Sequence, residues 1–260
     1  MNGFTSHRSA LLATALGLVL IGAPVSVTAQ EAFVTLRTSS LDVRYMRGVP
    51  EADARRAAEY LQAETDSITR QLKLTPKRRI EVRIYDNVSR FLAESGLKKP
   101  WRGAYFVRGI LHCQPVQALL QREIFEQSLT SEIARAILQG VGEQGCPLWL
   151  RESYAAHRVG AFRTTSAPIG ARLTAFADLN QDIQSYPDPP QRDDVQYMLG
   201  QTMNFFVTTY GEAAAMSLFA DFDGTRGVET VFRRVLGQEY AAVEKAWAGH
   251  IAERSAPFKR

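Results

Sequence analysis

From about Gln121 the hydrophobic period of this chain is helical, after a stretch in which strands and helices are mixed, and that change limits the architectures open to it. Before it, apolar residues alternate: Leu41, Val43 and Tyr45 in "SLDVRYM", then Ile80, Val82 and Ile84 in "RRIEVRIYD". Such alternation predicts half-buried strands. "GAYFVRGILHCQPV" predicts one or two more. Between them, "PEADARRAAEYLQAETDSITRQLKL" places Ala54, Ala57, Leu61, Ile68 and Leu72 on one helical face, and "FLAESGL" is a short helix closed by Gly96. After Gln121 the spacing is helical, with Ile124, Leu129, Ile133 and Ile137, until "GVGEQG" stops it. "PLWLRESYAAH" opens a second helix, and "QSYPDPPQRDD" is too rich in proline to read as regular structure. Four apolar-periodic segments separated by glycines follow, from "VQYMLGQTMNFFVTTYG" to "AAVEKAWAGHI". The expected fold is therefore α+β: a small mixed sheet with helices, then a helical C-terminal lobe. The α/β lobe is placed at residues 30–160 and the helical lobe at 161–260, their boundary lying between Gly160 and Asp194.

A chain of 260 residues can bury one substantial core or two closely packed lobes. Its net charge of +4 is spread among acids rather than gathered on one stretch, which argues against nucleic acid as a partner. The first 29 residues read as a secretory signal peptide. His7 and Arg8 precede an apolar run from about Ala10 to Ala23, and Val27 and Ala29 hold the positions a signal peptidase reads. That run is shorter than the roughly 20 residues of a bilayer span. Residues 30–260 are thus expected in the periplasm or outside the cell, without a stable membrane span. In such an oxidising space the only two cysteines, Cys113 and Cys146, are expected to form a disulfide rather than supply a thiol nucleophile beside His112 or His157. A bond closing that loop contributes about 3–4 kcal/mol.

The most informative stretch is "LTSEIARAILQGVGEQGCPLWLRESYAAH". Its "SEIAR" stands at the start of one helix and its "WLRESYAAH" on the next. In order of elements and in these two motifs the chain, over roughly residues 34–252, resembles the gluzincin zinc metallopeptidases, the peptidase-MA-like domains of bacterial envelope proteins. Their pattern is HExxH on the first helix and WLxEGxAE on the second. The tail "FFVTTYGEAAAMSLFADF", "GVETVFRRVLG" and the late "VEKAW" resemble their closing helices.

The resemblance assigns roles residue by residue. Two histidines at i and i+4 and a glutamate from the next helix hold zinc there, and the glutamate inside the motif takes a proton from the metal-bound water. Here Glu132 matches that general base, as a vestige, and Glu152 the third ligand. Ser131 and Arg135 stand at the two histidine positions. Serine is a poor zinc ligand, and arginine stays protonated and cannot bind a metal. Four good ligands bind zinc with roughly 10–16 kcal/mol, so one surviving carboxylate corresponds to about 3–4 kcal/mol, or millimolar affinity. Zinc is therefore expected to be absent. His112 and His157 are the only histidines near the motif in sequence, and a step of five residues takes His157 off the face of Glu152.

With the metal gone, Arg135 is expected to pair with Glu132 and Glu152 and so replace its charge. What remains is a pseudopeptidase that binds a peptide or an envelope partner, with "AYFVRGILHC" as a strand edge to which an extended peptide adds. Two other readings stay open. One is an active hydrolase, either a zinc enzyme with unusual ligands or a metal-free one using Glu132 and Glu152 as acid and base. The other is an unrelated α+β envelope domain. Tyr197 and Tyr210 read as packing residues rather than remnants of a transition-state site.

Overall fold

A computed structural model describes residues 33–75, 78–100, 102–161, 175–185 and 189–255. The proposed signal segment lies outside the described residues. The two strands expected first form a hairpin, β1 (Phe33–Arg37) and β2 (Leu41–Met46), paired antiparallel with Phe33 opposite Met46. The long helix α1 (Glu51–Leu72) then crosses over to β3 (Ile80–Ile84), which lies parallel to β2 with Val43 opposite Val82. Leu41, Val43, Val82 and Ile84 are fully buried on the sheet face that α1 covers with Ala54, Ala57, Leu61, Ile68 and Leu72. Thr65 lies on the same stripe and satisfies its hydroxyl by donating to Leu61 O at 2.7 Å.

The short helix α2 (Val88–Ser95) starts on Asn87, whose side chain accepts from Arg90 N, and ends on Gly96 at φ 75°. A left-handed residue there returns an N–H to Leu92 O, which glycine does without strain. Next comes a hairpin of β4 (Ala104–Val107) and β5 (Ile110–Cys113). Arg108 and Gly109 both have positive φ, 52° and 80°, as a tight primed turn requires. β5, not β4, inserts beside β3, giving the order β1-β2-β3-β5-β4 and leaving β4 on an edge.

From there the chain is helical: α3 (Val116–Gln121), α4 (Phe125–Gly142), α5 (Leu148–Arg158), α6 (Phe176–Ser185), α7 (Pro189–Tyr210), α8 (Glu212–Asp221), α9 (Val228–Leu236) and α10 (Tyr240–Ser255). The fold is α+β, with a five-stranded mixed sheet and a helical C-terminal part. Ala32–Arg260 form one compact unit. The proline-rich stretch differs from its sequence reading, because α7 begins inside it at Pro189. Prolines in a first helical turn lack only N–H groups that have no partner within the helix anyway.

The join between the α/β part and the helices is aromatic. Trp149, at the start of α5, stacks on Phe176 with ring centroids 4.0 Å apart, and Phe206 and Phe232 close around the pair. Asn180 Oδ1 accepts from Trp149 N at 2.9 Å and Glu244 Oε1 from Phe176 N at 2.7 Å. Two helix starts are thereby tied to the helices behind them. Trp247 is fully buried and donates its indole N–H to Thr202 Oγ1 at 3.0 Å. Tyr197 and Tyr210 are half-buried against this core, Tyr210 with its ring 5.9 Å from that of Phe205. Both are packing residues. Among the described residues, no helix is long and apolar enough to cross a membrane.

The cysteines depart from expectation. Cys113 and Cys146 are separate, buried thiols. Cys113 pairs in register with Ala104, next to Gly103, where a Cβ would collide with Ser128 near the start of α4. Cys146 follows the other end of α4 and binds back to it through its N–H to Val141 O. From Ser128 to Gly142 the helix rises roughly 21 Å at 1.5 Å per residue, and a disulfide joins Cα atoms no more than about 7 Å apart. Helix α4 is the spacer that keeps them apart. Burial raises both thiol pKa values, that of Cys113 to about 12.

Candidate functional site

Helix α4 lies on the sheet with Leu129 and Ile133 buried, and this fixes which of its residues can face α5 and β4. Glu132, in the middle of the helix, is turned toward β4. Its Oε2 accepts the backbone N–H of Phe106 at 2.9 Å, and its Oε1 takes Arg135 Nη1 at 2.6 Å. A second guanidinium approaches Oε1, with Arg102 Nη1 at 3.5 Å. From the next helix, Glu152 Oε2 accepts Arg135 Nε at 2.8 Å. The result is a chain of alternating charge, Arg102–Glu132–Arg135–Glu152, with zero formal net charge. The side chain of Glu132 is 4% exposed, and those of Arg135 and Glu152 are 12% and 13% exposed.

The electrostatics follow from that burial. Burial opposes the charge on Arg135, but the carboxylates of Glu132 and Glu152 outweigh it and raise its pKa, so the guanidinium is a fixed cation. Burial lowers the pKa of Arg102, against the pull of Glu132. The Arg102 guanidinium also sits 4.8 Å from the centroid of the Tyr105 ring, a cation–π contact. Buried charges of this kind are tolerated because each is paired and hydrogen-bonded.

Of the residues singled out from the sequence, Glu132, Arg135 and Glu152 come together. Ser131 does not join them: it is half-buried, and its Oγ donates back to Ser128 O at 3.2 Å. Arg102 was missed by sequence reasoning, since an arginine ahead of a predicted strand carries no motif. The Phe106 N–H was missed as well, because a backbone donor has no sequence signature.

The histidines go elsewhere. Phe106 faces the same space as Ala136 and Ile137 of α4 and pairs in register with Leu111. Its neighbour in β5, His112, therefore points to the opposite face of the sheet. There its Nδ1 meets Tyr85 OH at 2.7 Å, and burial pulls its pKa down to about 4. His157 is about 140° around α5 from Glu152 at 100° per residue, in a cleft with Tyr60, Glu64 and Arg158. His250 packs against Phe205 with ring centroids 5.4 Å apart. The residues at the motif do not fit a zinc ion, since Arg135 sets a protonated guanidinium between the two carboxylates that would flank it. Among the described residues, no group of three or more His, Cys, Asp and Glu side chains is placed to hold a metal.

The strand edge is also partly taken. Gly103 O accepts from Gln114 N, so residues 103, 105 and 107 turn their backbone groups toward β5 and residues 104 and 106 turn theirs outward. Ala104 is only 2% exposed, and the outward N–H of Phe106 is held by Glu132. No protein-family model matches this chain, and no curated protein matches its sequence.

Proposed function

We propose that this chain is a secreted or periplasmic, non-catalytic protein of the peptidase-MA-like type, one whose zinc site has become an internal salt bridge and which binds a peptide or an envelope partner. The observation that carries this reading is Arg135 bridging Glu132 and Glu152. In a zinc peptidase, cation charge at that place comes from the metal, and the glutamate of the first helix is free to take a proton from water. Here the guanidinium supplies the charge, and Glu132 already accepts from Arg135 and from Phe106 N. A metal-free hydrolase built on the two carboxylates needs one of them protonated as the general acid. Arg135 lies between the two carboxylates and hydrogen-bonds to both, which leaves no room for a scissile bond between them and supports the non-catalytic reading over that alternative.

On this reading, an extended partner adding to β4 competes with Glu132 for the Phe106 N–H. The first experiment is the zinc content and zinc affinity of residues 30–260 after dialysis. The expected result is no retained zinc and a dissociation constant in the millimolar range or weaker. Stoichiometric zinc surviving dialysis, together with turnover of generic peptides, overturns the proposal.

A further inference from the structure

Of the two edges of the sheet, β4 is closed, because Ala104 is buried and Glu132 holds the Phe106 N–H. The other edge, β1, is open. Beyond its end, Thr38 N donates to Leu41 O at 3.0 Å, in the register of the β1–β2 pair. Antiparallel residues alternate between bonded and unbonded pairs, so Val34 and Leu36 turn their backbone groups to β2. Phe33, Thr35 and Arg37 turn theirs outward, and among the described residues these outward groups have no partner. Such a row of free N–H and C=O groups is a template for another strand.

The side chains of β1 add to this. Among the described residues one large apolar side chain stands exposed, Val34 at 38%. It lies opposite Tyr45, and Leu36 lies opposite Val43, so both carry the buried face of the sheet out to its edge. On the other face Thr35 is exposed. Arg37 is 72% exposed, and its pair with Asp42 is long, at 3.4 Å.

We infer that β1 is a self-association surface, on which a second copy of this chain pairs its own β1 about a two-fold axis through Thr35 and joins the two sheets into one. The order of residues in the strand selects that occupant. Set antiparallel to itself about Thr35, the edge "FVTLR" brings outward residues only to outward residues, Thr35 to Thr35 and Phe33 to Arg37, each pair exchanging both backbone bonds. On the buried face Val34 meets Leu36 of the second copy, which covers the exposed valine. Apolar pairs and threonine pairs are favourable across strands, and a guanidinium is attracted to an aromatic ring. No like charges meet, so the strand is complementary to itself along its whole length, as an isologous interface requires. The inference does not depend on the proposed function, because no residue of the ion cluster lies on β1.

The test is sedimentation velocity on residues 30–260, which contain the compact unit Ala32–Arg260. A short edge makes a small interface, so a reversible dimer with a dissociation constant of roughly 10–100 µM is expected. Thr35→Lys and Thr35→Glu each set like charges opposite one another across the two-fold, and each is expected to weaken the dimer about fivefold or more. Because Thr35 is exposed, both variants should keep the Tm of the parent. Mixed in equal amounts, they are expected to form a heterodimer at least as tight as the parent dimer, since opposite charges then meet. The inference is overturned if the parent stays monomeric at about 200 µM, well above the range expected of a weak interface. It is overturned too if either variant alone dimerises like the parent, or if the mixture fails to restore the dimer, since residue 35 then does not meet itself. A monomeric parent that takes an extended peptide along β1 overturns it as well, the edge then serving a different partner.

Discussion

Arg135 Nε donates to Glu152 Oε2 at 2.8 Å while its Nη1 donates to Glu132 Oε1 at 2.6 Å, so one guanidinium joins two helices and two carboxylates. Removing one member of such a set leaves buried charge without a partner, which costs far more than the set contributes over an apolar substitute. Arg135→Met is therefore expected to destabilise by about 3–5 kcal/mol, a fall in Tm of roughly 6–20 °C at 2–4 °C per kcal/mol. Adding Glu152→Gln should recover part of the loss. A double-mutant cycle in chemical denaturation checks this, with a coupling of about 1.5 kcal/mol or more expected between residues in one network. Strict additivity would mean that the bridge contributes nothing.

On the proposed peptidase-MA-like reading, introducing the two motif histidines should create a metal site. Ser131→His with Arg135→His places two imidazoles at i and i+4 facing Glu152, and removes the guanidinium that stands in the way. Zinc affinity by competition with a chromogenic chelator is expected to rise from millimolar to micromolar or tighter, at one zinc per chain. An affinity unchanged by the double substitution would show that the α4–α5 pair lacks the geometry of a zinc site.

The thiols give a simple readout. Because Cys113 and Cys146 are separate and buried, a thiol reagent should label neither in the folded protein and both after unfolding without reductant. Reductant should leave Tm within about 1 °C, since no cross-link contributing roughly 3–4 kcal/mol is present to lose. A large fall in Tm on reduction would restore the disulfide.

His112 predicts a window of acid sensitivity. Burial first, then Arg83 and Arg108, push its pKa from 6.5 down to about 4, against the opposing pull of Glu81. Below pH 6.5 the unfolded chain takes up a proton that the folded protein refuses. Stability is therefore full above pH 6.5 and is lost as pH falls toward 4, by about 2 kcal/mol after allowance for solvent screening. In His112→Gln that part of the pH dependence should vanish. The difference in unfolding free energy between the two proteins, followed from pH 7.5 to 4.5, should shrink as the pH falls, and a constant difference would rule the histidine out.

What was legible in the sequence was what neighbours in the chain decide. The alternation of Leu41, Val43 and Tyr45 and the 3.6-residue spacing of Ala54, Ala57, Leu61 and Ile68 each report which side of an element meets the core, and each element formed where its period indicated. Gly96 closed α2 because a left-handed residue is a local need. The meeting of Glu132, Arg135 and Glu152 was legible through two motifs on consecutive helices. Pro189 misled because proline stops a helix in its interior but starts one at its end.

The rest depended on distances that no local pattern contains. Cys113 and Cys146 are suitably paired on paper, yet α4 stands lengthwise between them. Arg102 reaches Glu132 only because β4 crosses to the outer edge of β5 and Gly103 lets it approach Ser128. His112 lies close to the motif in sequence but faces the other side of the sheet, since successive residues of a strand point opposite ways. The sequence by itself determined the elements, their buried faces and the charges available on α4 and α5. Tertiary structure alone decided which of those charges met and which backbone donor they held, because an ion pair needs contact within a few ångströms and only the packing of β4, α4 and α5 brings residues 102, 132 and 152 that close.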